Sequence, residues 1–489
     1  MKRFILIAGF ICLMLGGLMA QNEEDVLRYS NTPLMGTARY LGLGGAYGAI
    51  GADFSSLSSN PAGIGLYKKS EFTITPSLYF ANSESNYLGQ MTEDDRNNFA
   101  FGNAGIVLTM ETVDRLDRNA VNNFQIGFGI NRLKDFNNQI YIEGVNGDNS
   151  LLDTYLEYAG TKNPENLNGF DTRLAFDTYL IDTLPGEDPY TYVDAYSYIG
   201  GFSSALQRKS IETKGSINEW VLSGGMNVDD KFYFGLTFGF PYIRYIQNST
   251  YNEQNLTEPD RDLDEFTYRE ELETRGGGFN IKVGTIARPV QWLRIGAAYH
   301  SPTWYNNLND SWNTRMNAYY TNGDSFSAQS PIGDYSYDIQ TPWKAMGSIA
   351  VLFGRYGLIS ADYEYVDYSK GKLKPAIEFS APNNIIANSF NSASNFRLGT
   401  EWNVGLMQVR GGYAYYGSPF ESGVNDGKLQ AYSAGLGFRS NEYFFDAAFV
   451  YSVSDQDYYL YGTNDIRTDP AKLTYSAYNL LFTFGYRFQ

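Results

Sequence analysis

The side chains that most often carry out catalytic or metal chemistry are nearly absent from this sequence. It holds one histidine, His300, and one cysteine, Cys12, among 489 residues. A serine and histidine pair is conceivable only at position 300, and a metal site of histidines and cysteines needs several such ligands together. No phosphate-binding loop or dinucleotide fingerprint follows any apolar run. We therefore expect no enzyme, no catalytic residue, no metal site and no cofactor.

Two acidic runs are the remaining candidates for a ligand site. They are Glu93-Asp94-Asp95 and the segment from Asp260 to Glu265. Such runs can bind a divalent cation, but solvated loop charge is the favoured interpretation. The chain as a whole carries 37 Lys and Arg against 54 Asp and Glu, a net charge of −17. Because so acidic a protein repels a phosphate backbone, we expect no nucleic-acid partner.

The first twenty residues have the pattern of a secretory signal peptide. Lys2 and Arg3 precede an apolar run from Phe4 to Leu18, and Ala20 precedes a polar segment. The run is about 15 residues long, whereas a membrane-spanning helix needs ~20. We expect residues 1–20 to be removed as a signal peptide. Cys12 is lost with them, which excludes a small fold held by disulfides.

The composition of the remainder is typical of one class of membrane protein. Aromatic residues make up 16% of the chain, with 41 Tyr and 50 Gly, yet the mean hydropathy is −0.35. No apolar stretch after residue 20 is long enough to form a transmembrane helix. In a transmembrane β-barrel only alternate residues face lipid, so a chain rich in aromatics stays polar on average.

Strict alternation along the chain supports this interpretation. The segment FYFGLTFGF, residues 232–240, places four phenylalanines and one leucine on one face and Tyr, Gly and Thr on the other. Residues 480–489 repeat the pattern, with an aromatic face that ends at Phe488. Strands of ~12 residues tilted by ~40° span roughly 28 Å, which covers the ~25 Å apolar band of an outer membrane. The alternative is an amphipathic strand of a soluble β-sandwich.

Fourteen such segments follow one another, separated by alternately short and long connections. We predict an all-β fold, a 14-stranded antiparallel transmembrane β-barrel over residues 71–489, with periplasmic turns and external loops in the bacterial outer membrane. The long loops include a tyrosine-rich segment, 134–215, and the segment 305–333. The predicted strands are residues 71–82, 99–111, 121–133, 216–228, 231–247, 266–288, 290–304, 334–353, 356–368, 392–404, 406–417, 429–440, 442–456 and 473–489.

Residues 21–70 lack the alternating pattern and are rich in glycine and serine. Fourteen strands ~4.8 Å apart form a barrel with a backbone diameter of ~28 Å. An empty lumen of that width would let solutes through, so we assign this segment as a plug. The stretch ARYLGLGGAYGAIGADFSSLSSNPAGIGLY resembles the N-terminal hatch of the FadL-type transporters of long-chain fatty acids and other hydrophobic compounds, whose hatch contains an Asn-Pro-Ala motif. The corresponding hatch residues here are Gly42, Gly44, Gly45, Asp53, Asn60, Pro61 and Ala62.

The resemblance implies a mechanism of passive transport. Hydrophobic solutes are caught by external loops, enter a pocket in the barrel, and leave sideways into the membrane through a gap made by an inward kink of the third strand. Gly127 and Gly129 are candidates for that kink, since glycine permits bends, although they can equally make room for bulky neighbours. Within the hatch we expect Asn60 to bond main-chain groups and the charges of Arg39 and Asp53 to pair with lumen groups.

The expected partners are hydrophobic small molecules and outer-membrane lipid, and we expect a monomer. Two other functions remain open at this point. One is an outer-membrane adhesion or structural protein that binds a partner through tyrosine-rich external loops. The other is a general porin for polar solutes, which a filled lumen disfavours.

Overall fold

The structure is a computed structural model that describes residues 22–33, 35–111, 121–187, 189–257, 262–463, 465–466 and 468–488. The predicted signal peptide, residues 1–20, the short connection 112–120 and Gln489 lie outside the described residues. Within the described ranges, no helix is both long and apolar enough to cross a membrane.

Antiparallel strands dominate the chain and close on themselves. β1 pairs with β2 along one edge and with the last strand, β21, along the other, from Ser70 opposite Phe488 to Asn86 opposite Lys472. In the described residues, fourteen strands form this closed ring, namely β1 to β3, β7 to β10, β14, β15 and β17 to β21, which confirms the predicted barrel. The strands are β1 Ser70–Tyr87, β2 Gln90–Glu111, β3 Val121–Asp135, β4 Asn138–Asn146, β5 Ile181–Thr183, β6 Tyr192–Asp194, β7 Ala205–Val228, β8 Phe232–Asn255, β9 Leu263–Val290, β10 Leu293–His300, β11 Trp304–Tyr320, β12 Ser325–Gln329, β13 Gly333–Gln340, β14 Lys344–Leu352, β15 Gly357–Asp367, β16 Lys372–Lys374, β17 Ser392–Val404, β18 Met407–Tyr416, β19 Leu429–Arg439, β20 Tyr443–Tyr458 and β21 Ala471–Phe488.

The outer surface of the ring is apolar and aromatic. Along β8, the side chains of Phe232, Phe234 and Phe240 are 44–49% exposed, whereas Tyr233 and Thr237 between them are buried. On neighbouring strands, Phe128 of β3 stacks on Trp220 of β7 with ring centroids 5.5 Å apart. A surface of this kind is stable in lipid rather than in water, so the ring is a transmembrane β-barrel and not a soluble sandwich.

The two ends of the barrel differ, and we call them the turn end and the loop end. At the turn end, β7 and β8 are joined by the tight turn at Asp229 and Asp230, both of which have positive φ. At the loop end, the predicted loops are more structured than expected. Residues 304–320 form β11, which pairs with β9 and β13, and the predicted strand 334–353 is two strands separated at Thr341–Trp343. The long segment 134–215 contains β4, two helices and the first part of β7.

The helices are short and lie inside or above the ring. α1 begins with a capping box. The Asn22 side chain accepts a hydrogen bond from Glu24 N, and the Asp25 carboxylate accepts one from Asn22 N. The described residues before β1 lie inside the ring, where Arg39, Tyr47 and Asn60 bond to β17, β15 and β9. The helices are α1 Glu23–Ser30, α2 Ala38–Gly42, α3 Ser56–Ser59, α4 Leu151–Ala159, α5 Thr172–Asp177 and α6 Ser380–Ser389, with 3₁₀ turns at Pro61–Leu66, Pro164–Asn166, Ala195–Ile199 and Tyr368–Lys370.

Candidate functional site

The Asn60-Pro61-Ala62 turn fixes the hatch, residues 22–69, against the barrel wall. The Asn60 carbonyl oxygen Oδ1 accepts from Ala62 N at 3.1 Å and caps the 3₁₀ turn, with Pro61 at its first position. The Asn60 amide Nδ2 donates to Gly48 O at 2.6 Å and to Thr285 O of β9 at 3.4 Å. One side chain therefore joins two parts of the hatch and the wall.

Glycines on both surfaces let the hatch backbone touch the strands. Gly44 and Gly45 both have positive φ, and a Cβ on Gly44 would lie 2.7 Å from Tyr413 N. Conversely, a Cβ on Gly412 of β18 would lie 2.1 Å from Gly44 N. Gly235 of β8 likewise lets the hatch backbone approach the wall, since a Cβ there would lie 2.1 Å from the Pro61 carbonyl. Gly42 packs similarly, its Cβ position being 3.3 Å from Gly435 Cα.

A buried chain of alternating charges joins the hatch to the wall. Arg39 of α2 donates twice to Glu401 of β17, at 2.9 and 2.8 Å. Glu401 also accepts from Arg410 at 2.6 Å, and Arg410 in turn donates to Asp446 at 2.6 Å. Arg410 and Asp446 are fully buried. Each of these four charges has an opposite neighbour, so none of the four is buried alone.

Asp53 acts within the hatch and not against the wall as expected. Its carboxylate accepts from Thr37 Oγ1 at 2.8 Å and from Ser55 N at 2.9 Å. Burial raises the pKa of the Asp53 carboxyl, and these hydrogen bonds act in the opposite direction. These hydrogen bonds join the segment before α2 to the segment after it.

The third strand leaves its neighbour near the loop end. β2 pairs with β3 only between Asn103 and Glu111. In the described residues, no strand pairs with the remaining part of β2, residues 90–102, on that side. β4 continues from β3, and in the part of the chain that the structure describes its strand pairing is with β7. It crosses the inner face of the β1–β2 hairpin, where Ser85 Oγ donates to Tyr141 O at 2.9 Å. The barrel wall therefore has an open edge at β2.

The break lies at Phe136 and Asn137, between β3 and β4. The Asp135 carboxylate accepts from Asn137 N at 2.9 Å and from Asn98 Nδ2 of β2 at 3.1 Å, and it pairs with Arg132. Phe136 N donates to Gly215 O of β7 at 3.0 Å, and its ring is buried in the lumen. These contacts turn the chain inward. Two side-chain contacts bridge the open edge, the hydrogen bond from Asn98 to Asp135 and the ion pair of Arg96 of β2 with Glu212 of β7.

A cavity of about 1010 Å³ lies beside this break, on the loop-end side of the hatch. Its wall combines α1, the break, β7 to β9, β11 and the loops that follow β18 and β20. Aromatic rings are prominent in it. They belong to Tyr79, Phe136, Tyr245, Trp312, Phe390, Phe420, Tyr458, Tyr459, Tyr461 and Tyr475.

The lumen beneath α1 is narrower and more polar. A second cavity of about 130 Å³ lies between α1 and the rest of the hatch. Its lining includes the ion pairs of Lys282 with Glu219 and of Arg397 with Glu364. His300 also lines it, and its Nε2 is 2.7 Å from Ser59 O. The single histidine, at the end of β10, is therefore a hatch contact in the lumen.

Structural comparison decides the fold. No protein-family model matches the sequence, and no curated protein matches it. A FadL homologue from Pseudomonas aeruginosa superimposes with a TM-score of 0.55 at 13% identity, covering 94% of this chain and 99% of that chain. The fold is that of the FadL-type barrels. The toluene transporters TodX from P. putida and TbuX from Ralstonia pickettii give TM-scores of 0.53 and 0.50 at 11% and 14% identity. Both alignments cover 94% of this chain, and they cover 99% of TodX and 100% of TbuX.

In this FadL-type barrel, the glycines proposed for the kink lie before the break. Gly127 and Gly129 stand in regular ladder, opposite Val107 and Gly105 of β2. A Cβ on Gly127 would lie 2.7 Å from Leu57, and one on Gly129 would lie 2.6 Å from Phe54, so both make room for the hatch. The strand bends instead at residues 136–137.

Sequence reasoning missed the residues of the break. The sequence predicts a third strand that ends at 133 and a loop over residues 134–215. The run Asp135-Phe136-Asn137-Asn138 carries a usable signal, because Asp and Asn after a strand favour a local turn through their side chains. The partner of Arg39, Glu401, lies 362 positions away, and no local signal identifies it.

Proposed function

We propose that this chain is a passive transporter of hydrophobic small molecules, such as long-chain fatty acids, in the bacterial outer membrane. The solved proteins that share its fold include toluene transporters and a monoaromatic hydrocarbon channel. A transporter of this kind needs no catalytic group, in keeping with a chain that has one histidine. In the membrane, the loop end faces outside and the turn end faces the periplasm.

The large cavity is the binding chamber of the proposal. The cavity is lined by aromatic rings such as those of Tyr245, Trp312 and Tyr458. A solute that buries apolar surface against them gains ~25 cal/mol of binding free energy per Å² removed from water. The way onward through the hatch is unfavourable for such a solute, because the 130 Å³ space beneath α1 is lined by ion pairs. An apolar solute therefore gains nothing by passing straight through to the periplasm.

The open edge of β2 is the observation that carries the proposal. It lies where β4 crosses inward, and Phe136 and Asn137 of the break line the cavity. The outward rings of Phe99 and Phe101 stand on the open part of β2 and are at least half exposed. A solute leaving by this route passes from the cavity to lipid without crossing periplasmic water.

An adhesion protein with tyrosine-rich loops is less well supported. Tyr155 and Tyr196 of the longest loop are buried, as is Leu152, and they pack into a loop-end core. Tyr196 Oη donates to the buried Glu253 of β8 at 2.9 Å. Tyrosines used in this way stabilise the loops and are not offered to a partner.

Removal of the break tests the lateral exit. Deleting Phe136 and Asn137 joins β3 to β4, and a two-residue deletion preserves which side chains of β4 face inward. We expect the variant to bind a fluorescent long-chain fatty acid but to lose most of its uptake in cells that lack another transporter. Deletion of Pro185 and Gly186, in an exposed loop turn, is the matched control.

The possible outcomes separate the route from the function. Full uptake by the variant without the break would show that solutes leave elsewhere. Failure of the intact protein to take up the fatty acid would overturn transport itself.

A further inference from the structure

Two arginines lie side by side on the outer wall of the barrel. Arg244 of β8 and Arg275 of β9 are direct cross-strand partners, and both side chains are about half exposed. Tyr245 and Thr274, the next pair in the same ladder, are buried on the lumen side. Because successive residues of a strand face opposite ways, both arginines point away from the lumen. We call them the arginine pair.

Aromatic rings lie next to the arginine pair on the side of the turn end. Tyr242 and Phe240 precede Arg244 on the same outward face of β8, and both are about half exposed. Phe279 of β9 lies 5.4 Å from Phe240 and 6.4 Å from Trp304 of β11, measured between ring centroids. Rings in such a row mark the level at which the hydrocarbon of a membrane ends and its headgroups begin. The guanidinium groups therefore lie at the level of the lipid headgroups.

The arginine pair shares a single carboxylate. Arg244 Nε donates to Glu273 Oε1 at 3.2 Å, and Arg275 Nε donates to the same oxygen at 2.7 Å. In the part of the chain that the structure describes, the side-chain hydrogen bonds of both arginines go to Glu273. A guanidinium has five N–H donors, so most of the donors of Arg244 stay available to a ligand. The pair carries two positive charges against one negative charge.

The neighbouring strand adds to this excess of positive charge. Lys214 of β7 is a diagonal neighbour of Arg244 on the outer wall. Its ammonium is 2.9 Å from Glu212, and Arg96 shares that carboxylate. Four cations at this level thus share two carboxylates, while Glu271, the next outward carboxylate of β9, lies further from the aromatic row. A surface with this charge attracts an anion.

We propose that the arginine pair binds the phosphate of a phosphorylated glycolipid of the outer leaflet, whose acyl chains lie against the aromatic row. Arginine forks match phosphate oxygens with two parallel hydrogen bonds. The occupant is a membrane lipid and not a soluble anion, because the rings of Phe240 and Tyr242 beside the arginines offer apolar surface to acyl chains. This inference uses the outward orientation of the loop end and does not depend on transport.

Lipid binding in detergent tests the site. The protein in a neutral detergent is titrated with bis-phosphorylated lipid A and with the same lipid after its phosphates are removed, and bound lipid is counted by native mass spectrometry. We expect the unmodified protein to bind the phosphorylated lipid at least tenfold more tightly. The double variant Arg244→Gln with Arg275→Gln should lose this preference and leave binding of the phosphate-free lipid unchanged.

The double variant Arg269→Gln with Arg315→Gln is the matched control. These two arginines are also direct cross-strand partners, on β9 and β11, and both are exposed. Arg269 lies six residues from Arg275, about 20 Å further from the aromatic row along the strand. The control removes the same charge from the same side of the barrel and should leave both affinities unchanged.

Three results would overturn the assignment. The first is equal affinity of the unmodified protein for the two lipids, a measurement that needs no variant to fold. The second is equal weakening by the control variant, which is the behaviour of a general attraction between charges. The third is displacement of the phosphorylated lipid by millimolar inorganic phosphate, which would identify a site for a free anion. None of these results bears on uptake of hydrophobic solutes, which the deletion of Phe136 and Asn137 tests separately.

Discussion

The ring of Tyr29 lies edge-on to the ring of Phe136, with 6.1 Å between their centroids and 80° between their planes. Tyr29 belongs to α1 and Phe136 to the break in the third strand. Tyr245 of β8 completes the cluster, 5.1 Å from Phe136 and 6.4 Å from Tyr29. The N-terminal helix and the open edge of the wall therefore share one aromatic cluster, and neither can shift without losing contacts to the other.

Phe136→Ala should loosen α1. An aromatic pair contributes about 0.5–1.5 kcal/mol, and the pair with Tyr29 joins Phe136 to the helix, so its loss should raise local opening of α1 about two- to tenfold. Hydrogen exchange of the α1 amides measures this directly. Phe326→Ala, which removes a ring that contacts Tyr179 and Tyr320, is the control and should leave α1 unchanged. Unchanged exchange in Phe136→Ala would mean that other contacts hold the helix.

Glu401→Gln should weaken the ion-pair chain that holds the hatch against the barrel wall. It leaves Arg39 and Arg410 without their shared carboxylate, and breaking a buried ion pair costs about 3–5 kcal/mol. We expect frequent opening events in single-channel recordings. Glu273→Gln is the control, because that carboxylate pairs with the exposed Arg244 and Arg275. A channel as quiet as the unmodified protein would show that the charge chain does not hold the hatch.

Gly235→Ala should displace the Asn60-Pro61-Ala62 turn. The added methyl group would lie 2.1 Å from the Pro61 carbonyl, a distance at which backbone must move. Gly347→Ala adds the same group to β14 where nothing lies within 4 Å, and it is the matched control. We expect a raised conductance for the first variant alone. Equal conductance in both would indicate that the turn accommodates the methyl group.

The fold is largely predictable from the sequence because successive residues of a barrel strand face lipid and lumen in turn, and the residue types alternate accordingly. Phe232 and Tyr233 already belong to opposite surfaces in the sequence, and their exposed fractions are 49% and 3%. The lumen is different, since its contacts join distant positions. The alternation predicts that Gly235 lies on the face opposite the phenylalanines, but only the folded chain brings it against Pro61.

Single-cysteine labelling should fix the orientation of the barrel. The only cysteine of the sequence, Cys12, lies in the predicted signal peptide, so introduced thiols report alone. With an impermeant reagent on whole cells, we expect Asn322→Cys in the loop-end hairpin to react and Asp229→Cys at the turn end to react only after lysis. The reverse pattern would place the tight turns outside the cell.

Deletion of residues 22–66 should produce an inserted barrel that leaks. The strand ladder is complete without the hatch, since β1 begins at Ser70 and pairs directly with β2 and β21. Glu401, Arg410 and Asp446 remain paired with one another and regain water, so their burial no longer opposes folding. We expect heat-resistant migration in gels to persist and single-channel conductance to rise well above that of the intact protein. A deletion variant as tightly closed as the intact protein would mean that the packed loops, with Tyr196 in their core, seal the pore.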